Sequence, residues 1–323
     1  MQIRMLLAAL LFQFLAQAAL AQAPSADTWP VKPVRLVLSF PGGAPDILAR
    51  LIAPKLTDMW GQQVIVDPRS GAGGIVGTDV VAKAPGDGYT FLIASPSHAI
   101  NPSLYPKLPY DSVADFVGVS KLAEVPNIVI VHPAVPARTL KDLIAYLKAN
   151  PGKVNYGTSC CGSSQHLAGE LFSKMAGVKI LHVPYKSGPQ VVIDLVAGQV
   201  QLTFGSSSAM PNVRSGKLVA LAVTTAQRVS SIPDLPTVAE AALPGYEAAA
   251  WYAMFAPART ARSIVNRVQA DAARALVMPE VREKLTAVAI EPVGSTPAEM
   301  DAFLKREIAK WSVVVKESGA KPD

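Results

Sequence analysis

The sequence predicts an α/β protein of two lobes with a ligand cleft between them. Three observations carry that expectation. Short β-branched runs alternate with amphipathic helical stretches, the pattern of parallel βαβ units covered by helices. The alternation breaks in a loop rich in Pro, Ser and Tyr over residues 95–115 and then restarts. The 323 residues, less an N-terminal leader, leave roughly 300, about two domains at ~150 residues each.

The leader spans residues 1–21. Arg4 supplies a positive start, residues 5–21 are apolar except for Gln13 and Gln17, and Ala19-Leu20-Ala21 fits the small-x-small cleavage rule. The run is short for a membrane span and no stop-transfer charges follow it. It therefore reads as a signal peptide cleaved near Ala21, which places the mature chain in the periplasm. No cysteine follows it, so lipid anchoring has no attachment site.

Elements follow in order after a lead containing Pro24, Pro30 and Pro33. Residues 34–40 read as a buried strand. Residues 46–60 read as a helix with Ile47, Leu48, Leu51, Ile52 and Leu56 on one face. A strand at 64–67, a helix at 75–84 and a strand at 90–94 complete the first series. The second opens with a strand at 128–132, a helix at 140–150, a strand at 154–156 and a helix at 164–176. Segments 180–183, 191–197, 201–204, 208–216 and 218–223 continue it. From Trp251 come one strand-like stretch to Phe255 and helices near 262–277, 280–287 and 297–317. The last carries Met300, Phe303, Leu304, Ile308, Trp311 and Val315 as an apolar stripe that reads as packing.

Composition excludes several classes. The net charge of +6 is spread along the chain, and no Lys/Arg cluster of about 5–8 residues marks a nucleic-acid surface. The two cysteines, Cys160 and Cys161, are neighbours, so neither a disulfide framework nor a Cys-x-x-Cys motif is available. His98, His132, His166 and His182 lack metal-ligand spacing, and neither metal nor cofactor is expected. No G-x-S-x-G elbow occurs, and no acid, base and nucleophile trio stands out.

The loops are richer. Ser39-Phe40-Pro41-Gly42-Gly43-Ala44-Pro45-Asp46 leaves a strand and enters a helix, where glycines admit a ligand and the helix start favours an anion. Asp46 also suits a first-turn acid. Gly162-Ser163-Ser164-Gln165-His166 runs into a helix whose Leu167, Leu171 and Met175 share a face, with the serines at the cap position. Ala94-Ser95-Pro96-Ser97-His98 is a third such loop. Gly71-Ala72-Gly73-Gly74-Ile75-Val76-Gly77 lacks the glycine that a dinucleotide fingerprint needs at Val76 and reads as a turn before a helix.

Several segments together resemble the periplasmic solute-binding proteins of tripartite tricarboxylate transporters, the TctC or Bug family. They are Trp29-Pro30-x-Lys32-Pro33-Val34-Arg35-Leu36, Gly71-Ala72-Gly73-Gly74, Ala84-Pro85-x-Asp87-Gly88-Tyr89-Thr90, and Asn101-Pro102-Ser103-Leu104-Tyr105 with Leu108-Pro109-Tyr110-Asp111. Ser164-Gln165-His166-Leu167-Ala168-Gly169-Glu170, His182-Val183-Pro184-Tyr185-Lys186 and Pro233-Asp234-Leu235-Pro236-Thr237-Val238-Ala239-Glu240 complete the set, in family order. The resemblance implies a clamshell protein that captures a small organic acid and hands it to membrane permease subunits. It implies ligand contacts from Pro41, Gly42, Gly43, Ala44 and Asp46 on one side and Ser163, Ser164, Gln165 and His166 on the other. Ser95 and Ser97 match a variable hydroxyl-rich loop, and Gly205 and Ser206 follow the strand ending at Phe204. The chain departs from the family pattern in three places. Only Pro41 precedes Gly42, Gly205 replaces a frequent acid, and Cys160-Cys161 replaces a Gly- or Asn-containing turn.

The resulting expectation is a monomeric binding protein without catalysis. One lobe comprises residues 22–123 and 250–323, the other residues 124–249. A periplasmic sensor feeding a membrane signalling protein would share the same pocket, and an exported enzyme pairing Cys160 or Cys161 with His166 is the remaining alternative. The identity of the acid is not legible in the sequence.

Overall fold

The computed structural model describes residues 29–40, 42–159, 163–185 and 187–318. The expected leader, Pro41, the cysteine pair, Gly162 and Lys186 lie outside these residues. The described chain opens with strand β1 (Val34–Leu38), helix α1 (Ala44–Trp60), β2 (Val64–Pro68), a 3-10 turn (Ala72–Gly74), α2 (Ile75–Ala82), β3 (Thr90–Ala94) and α3 (Ser97–Leu104). Two strands, β4 (Phe116–Val125) and β5 (Ile128–Val131), follow directly. Next come α4 (Leu140–Ala149), β6 (Asn155–Thr158), α5 (Ser164–Ala176), β7 (Leu181–Pro184), α6 (Gly188–Val196) and β8 (Leu202–Gly205). A second 3-10 turn (Ser207–Ala209), α7 (Met210–Arg214), β9 (Val219–Val223) and α8 (Val238–Ala241) lead to β10 (Ala250–Pro257). The final elements are α9 (Arg262–Leu276), α10 (Pro279–Ala287), β11 (Glu291–Pro292) and α11 (Pro297–Ser318).

The strands form two sheets, ordered β11-β4-β10-β3-β1-β2 and β7-β6-β8-β5-β9. Pairing is parallel where βαβ units stand, between β1 and both β2 and β3, and between β6 and both β7 and β8. It is antiparallel where a strand arrives from the other sheet: β10 against β3 and β4, and β5 against β8 and β9. The expected parallel βαβ units are thus present, and the strands that carry the chain across add antiparallel pairs to them.

Local chemistry explains the helices around the cleft. Helix α1 has Pro45 in its first turn, buries Leu48, Ala49, Ile52, Ala53 and Leu56, and stops at Gly61 in the left-handed region. Ile47, expected on the buried stripe, is instead 38% exposed. Helix α4 begins with a reciprocal cap between Thr139 and Asp142. Helix α5 begins at Ser163, whose hydroxyl accepts the His166 N–H at 3.2 Å.

The chain crosses between the sheets twice, at residues 126–127 and 224–249, and the crossings lie side by side. Thr224 N–H donates to Asn127 O at 2.9 Å, and Asn127 N–H to Thr224 Oγ1 at 3.0 Å. Asn127 Nδ2 donates to Ala248 O at 2.9 Å, and Ala248 N–H to Thr224 O at 3.0 Å. One buried cluster packs α1, α9 and α10 on the first sheet, and another packs α6 and α7 on the second. A third runs from α3 and α11 through Trp251 to α4 and α5, so the two sheets share a continuous apolar core. Helix α11 reaches the second unit, where Glu317 pairs with Lys174 of α5 at 2.6 Å.

Candidate functional site

A cavity of about 610 Å³ lies where loops from both sheets meet. The β1–α1 loop contributes Phe40, Gly42, Gly43, Ala44 and Pro45, and the β3–α3 loop contributes Ser95, Pro96 and Ser97. From the other sheet come Ser159, Ser163, Ser164, Gln165 and Ser206. The crossing strands close it with Val125, Asn127, Ala250 and Tyr252. Among the described lining residues there is no Lys, Arg, His, Asp or Glu.

Three helices begin at this cavity, α1 at Gly43, α3 at Pro96 and α5 at Ser163. A helix start concentrates N–H groups that the helix itself does not pair and roughly half a positive charge, although in α3 the His98 N–H is already taken by Ser95 O at 3.0 Å. In α5 the cap takes the His166 N–H, which leaves the Ser164 and Gln165 N–H groups at the open end. Gln165 Oε1 accepts the Ser159 N–H at 3.1 Å. That bond fixes which end of the amide is oxygen, so the NH2 is the group left to donate. Ser95 and Ser97 share a hydroxyl hydrogen bond at 2.9 Å. Such a wall of donors and helix starts suits an anion, and no described lining residue supplies a carboxylate to pair with a cation.

Three of the residues named from sequence do not line this cavity. The Asp46 carboxylate accepts the Gly42 N–H of the preceding loop and pairs with Arg50 at 3.5 Å, so it is held by its own loop and helix. His166 is buried behind α5, its ring stacked on His182 with centroids 3.9 Å apart. His182 Nε2 meets Thr158 Oγ1 at 2.6 Å, and Glu170 lies 3.8 Å from His166 Nε2 while receiving the Tyr156 hydroxyl. Burial, and secondly His182, pushes the His166 pKa down to about 4. Gly205 ends the buried strand β8, where a Cβ would stand 3.0 Å from the Thr203 methyl. Pro41 lies outside the described residues. Gly42, Gly43, Ala44, Ser95, Ser97, Ser163, Ser164, Gln165 and Ser206 do line the cavity.

The sequence reading missed the rest of the wall. Ala72 and Gly73, assigned only to a turn, line the cavity beside Asn101, Leu104 and Tyr105 of α3. Gly73 and Gly74 both have positive φ, and a Cβ on Gly74 would stand 3.1 Å from Ser97 Oγ. Only glycine lets this turn approach α3 so closely. The signal was available, because both segments belong to the motifs quoted above.

A larger groove of about 1220 Å³ adjoins the cavity and shares Gly43, Ala44, Val125 and Ser206 with it. Its walls include Ile47, Met210, Pro211 and Ile232, with Arg214 and Arg282 exposed. Ser207 Oγ donates to Val288 O across it at 3.3 Å. Its exposed charges are mixed with Glu283, and among the described helices of eight or more residues only α1 and α10 start there. The smaller cavity, where three such starts converge, is the candidate ligand site.

Known proteins agree with this architecture. The sequence model of the tripartite tricarboxylate transporter family receptor (TctC) matches residues 48–320. Protein BugT of Bordetella pertussis (strain Tohama I) is 39% identical over 312 residues, covering 95% of this chain and 96% of its own. The solved structure described as R. palustris Rpa4515 with adipate is 41% identical, with a TM-score of 0.76 over 91% of this chain and 100% of that one. MatC of Rhodopseudomonas palustris with bound malate is 31% identical, with a TM-score of 0.72 over 89% and 100%.

Proposed function

The chain belongs to the tripartite tricarboxylate transporter receptor family, and we propose that it is a periplasmic receptor that captures a small organic acid for the membrane permease of such a transporter. The observation that carries this reading is the cavity itself, with three helix starts, several hydroxyls and the Gln165 amide around a space without a charged side chain. Charge-assisted hydrogen bonds of about 1.5–3 kcal/mol each would supply much of the ~8 kcal/mol that micromolar binding needs. The acids seen with two relatives, adipate and malate, support a carboxylate as the ligand. Catalysis has no place in this reading. The relatives of solved structure include the periplasmic binding protein BugD, and the His166 ring stacks on His182 away from the cavity.

Within the same reading, residues 22–123 and 250–323 make one lobe and residues 124–249 the other. The split of strands between two sheets supports this division. The receptor acts as a monomer after loss of its leader. A ligand gripped by loops of both lobes favours the closed arrangement by its differential affinity. A thermal-shift screen of mono-, di- and tricarboxylates against neutral sugars tests the assignment, because a ligand raises the melting temperature only by binding the folded state. Organic acids should stabilise the protein and sugars should not. Stabilisation by sugars alone would remove the proposal.

A further inference from the structure

We infer that Tyr252 is a specificity-determining residue that donates its phenolic hydrogen to a second acceptor group, a carboxylate, on the acid at the end remote from the first. This rests on the proposed function and goes beyond it, since it names the side chain of this chain that selects for such an acid.

Tyr252 stands on β10, one of the strands that carry the chain between sheets, and it lines the cavity. Its neighbour Trp251 points away and is anchored, with its indole Nε1 2.8 Å from Glu307 Oε2. The same oxygen receives Trp311 Nε1 at 2.8 Å, so a buried carboxylate holds β10 against α11. Alternation along the strand then sets Tyr252 on the opposite face. The ladder is irregular at this point. Tyr252 pairs with Ala123 and Ala253 with Lys121, which leaves Leu122 as an extra residue on β4. Such a bulge bends the strand locally and re-aims a side chain.

The hydroxyl has no hydrogen-bond partner among the described residues. Tyr246 donates to Ala168 O at 2.8 Å and Tyr185 to Asp194 Oδ2 at 2.9 Å, whereas the buried Tyr110 hydroxyl also lacks a partner; Tyr252 differs from it in lining the cavity. A phenol facing a cavity without a protein partner is a donor held for a ligand. Burial pushes its pKa up to about 12, so it stays protonated at neutral pH. Asn127, Val125 and Ala250 surround it on the crossing strands, and none of these was legible as a site residue. The loops that favour the first carboxylate lead into helix starts, whereas Tyr252 belongs to a strand that carries the chain between sheets, a different part of the wall. A monocarboxylate leaves the phenol unpaired, and an acid with a remote acceptor satisfies it.

The test is calorimetric titration of linear dicarboxylates from succinate to suberate, each beside the monocarboxylate of equal length, on wild type and Tyr252→Phe. Wild type should prefer at least one dicarboxylate by about tenfold or more over its monocarboxylate, and Tyr252→Phe should erase most of that preference while leaving monocarboxylate affinity within about twofold. Tyr246→Phe, which removes a hydroxyl that bonds Ala168 O and does not line the cavity, should keep the preference. A preference retained in Tyr252→Phe, or absent in wild type while acids still bind, overturns the inference and leaves the proposed function standing. If no acid binds wild type at all, both fall.

Discussion

Replacing Gln165 by Glu isolates what the site does to an anion. Glutamate keeps an oxygen for the Ser159 N–H, which lies 3.1 Å from Gln165 Oε1, so the local loop has no cause to move. The other end of the side chain changes from a donor NH2 to an acceptor oxygen. Losing a donor to a charged ligand costs about 1.5–3 kcal/mol. A second carboxylate about 4–8 Å from the bound one adds roughly 2–4 kcal/mol at an effective dielectric of ~20. Proton uptake by the new side chain trims this sum, so affinity should fall by about 100- to 10,000-fold, or roughly 3–5.5 kcal/mol. Stability should move the other way. An acid in the first turn of α5 favours the helix by about 0.3–1 kcal/mol. Calorimetry with the tightest acid from the screen, alongside urea unfolding, reads both quantities. Gln165→Glu that is folded and still binds the acid within about threefold of wild type would refute the reasoning.

The remaining predictions concern the α5 cap and two buried histidines. Ser163→Ala with Ser164→Ala should lower stability by about 1 kcal/mol through the lost cap and lower ligand affinity by more than that; unchanged affinity by calorimetry would leave the serines a capping role only. His98 and His166 both have pKa values of about 4, in each case pushed down first by burial. The unfolded chain, with histidines near 6.5, therefore binds more protons, so this stability is complete above about pH 6.5 and is lost as pH falls toward 4. Each histidine should cost about 2 kcal/mol between pH 7.5 and 5, and a total fall in unfolding free energy below about 1 kcal/mol would contradict these positions.

Much of this architecture is written in period and punctuation. The strand at 90–94 and the α5 helix at Ser164–Ala176 stand where the sequence places them, and α5 buries Leu167, Leu171 and Phe172, although Met175, expected on the same face, is 37% exposed and Ala176 is buried instead. Strand β4 was hidden because Gly118, Ser120, Lys121 and Glu124 interrupt any alternation. It is buried through tertiary partners instead: Asp301 Oδ1 accepts the Gly118 N–H at 2.8 Å, and the Lys121 ammonium sits 4.1 Å from the Phe303 ring centroid. Helix α3 carries Pro102 internally and follows Pro96, so breaker rules assigned it to a loop. It is held by His98, buried against Tyr110, Phe116 and Phe255 with its Nε2 3.1 Å from Ser112 O. The site shows the same division. Loop residues at helix starts were legible from Gly, Ser and Pro chemistry. Asn127 was not, because its place comes from two crossing segments that meet from far apart in sequence.

The central claim is that an uncharged wall of donors holds a small carboxylate. Titration of the best-binding acid beside its primary amide, which has nearly the same shape and no charge, tests it most directly. The account predicts micromolar binding of the acid, driven by donors at the starts of α1, α3 and α5, and a loss of about 100-fold or more for the amide. Equal affinity for acid and amide would contradict it.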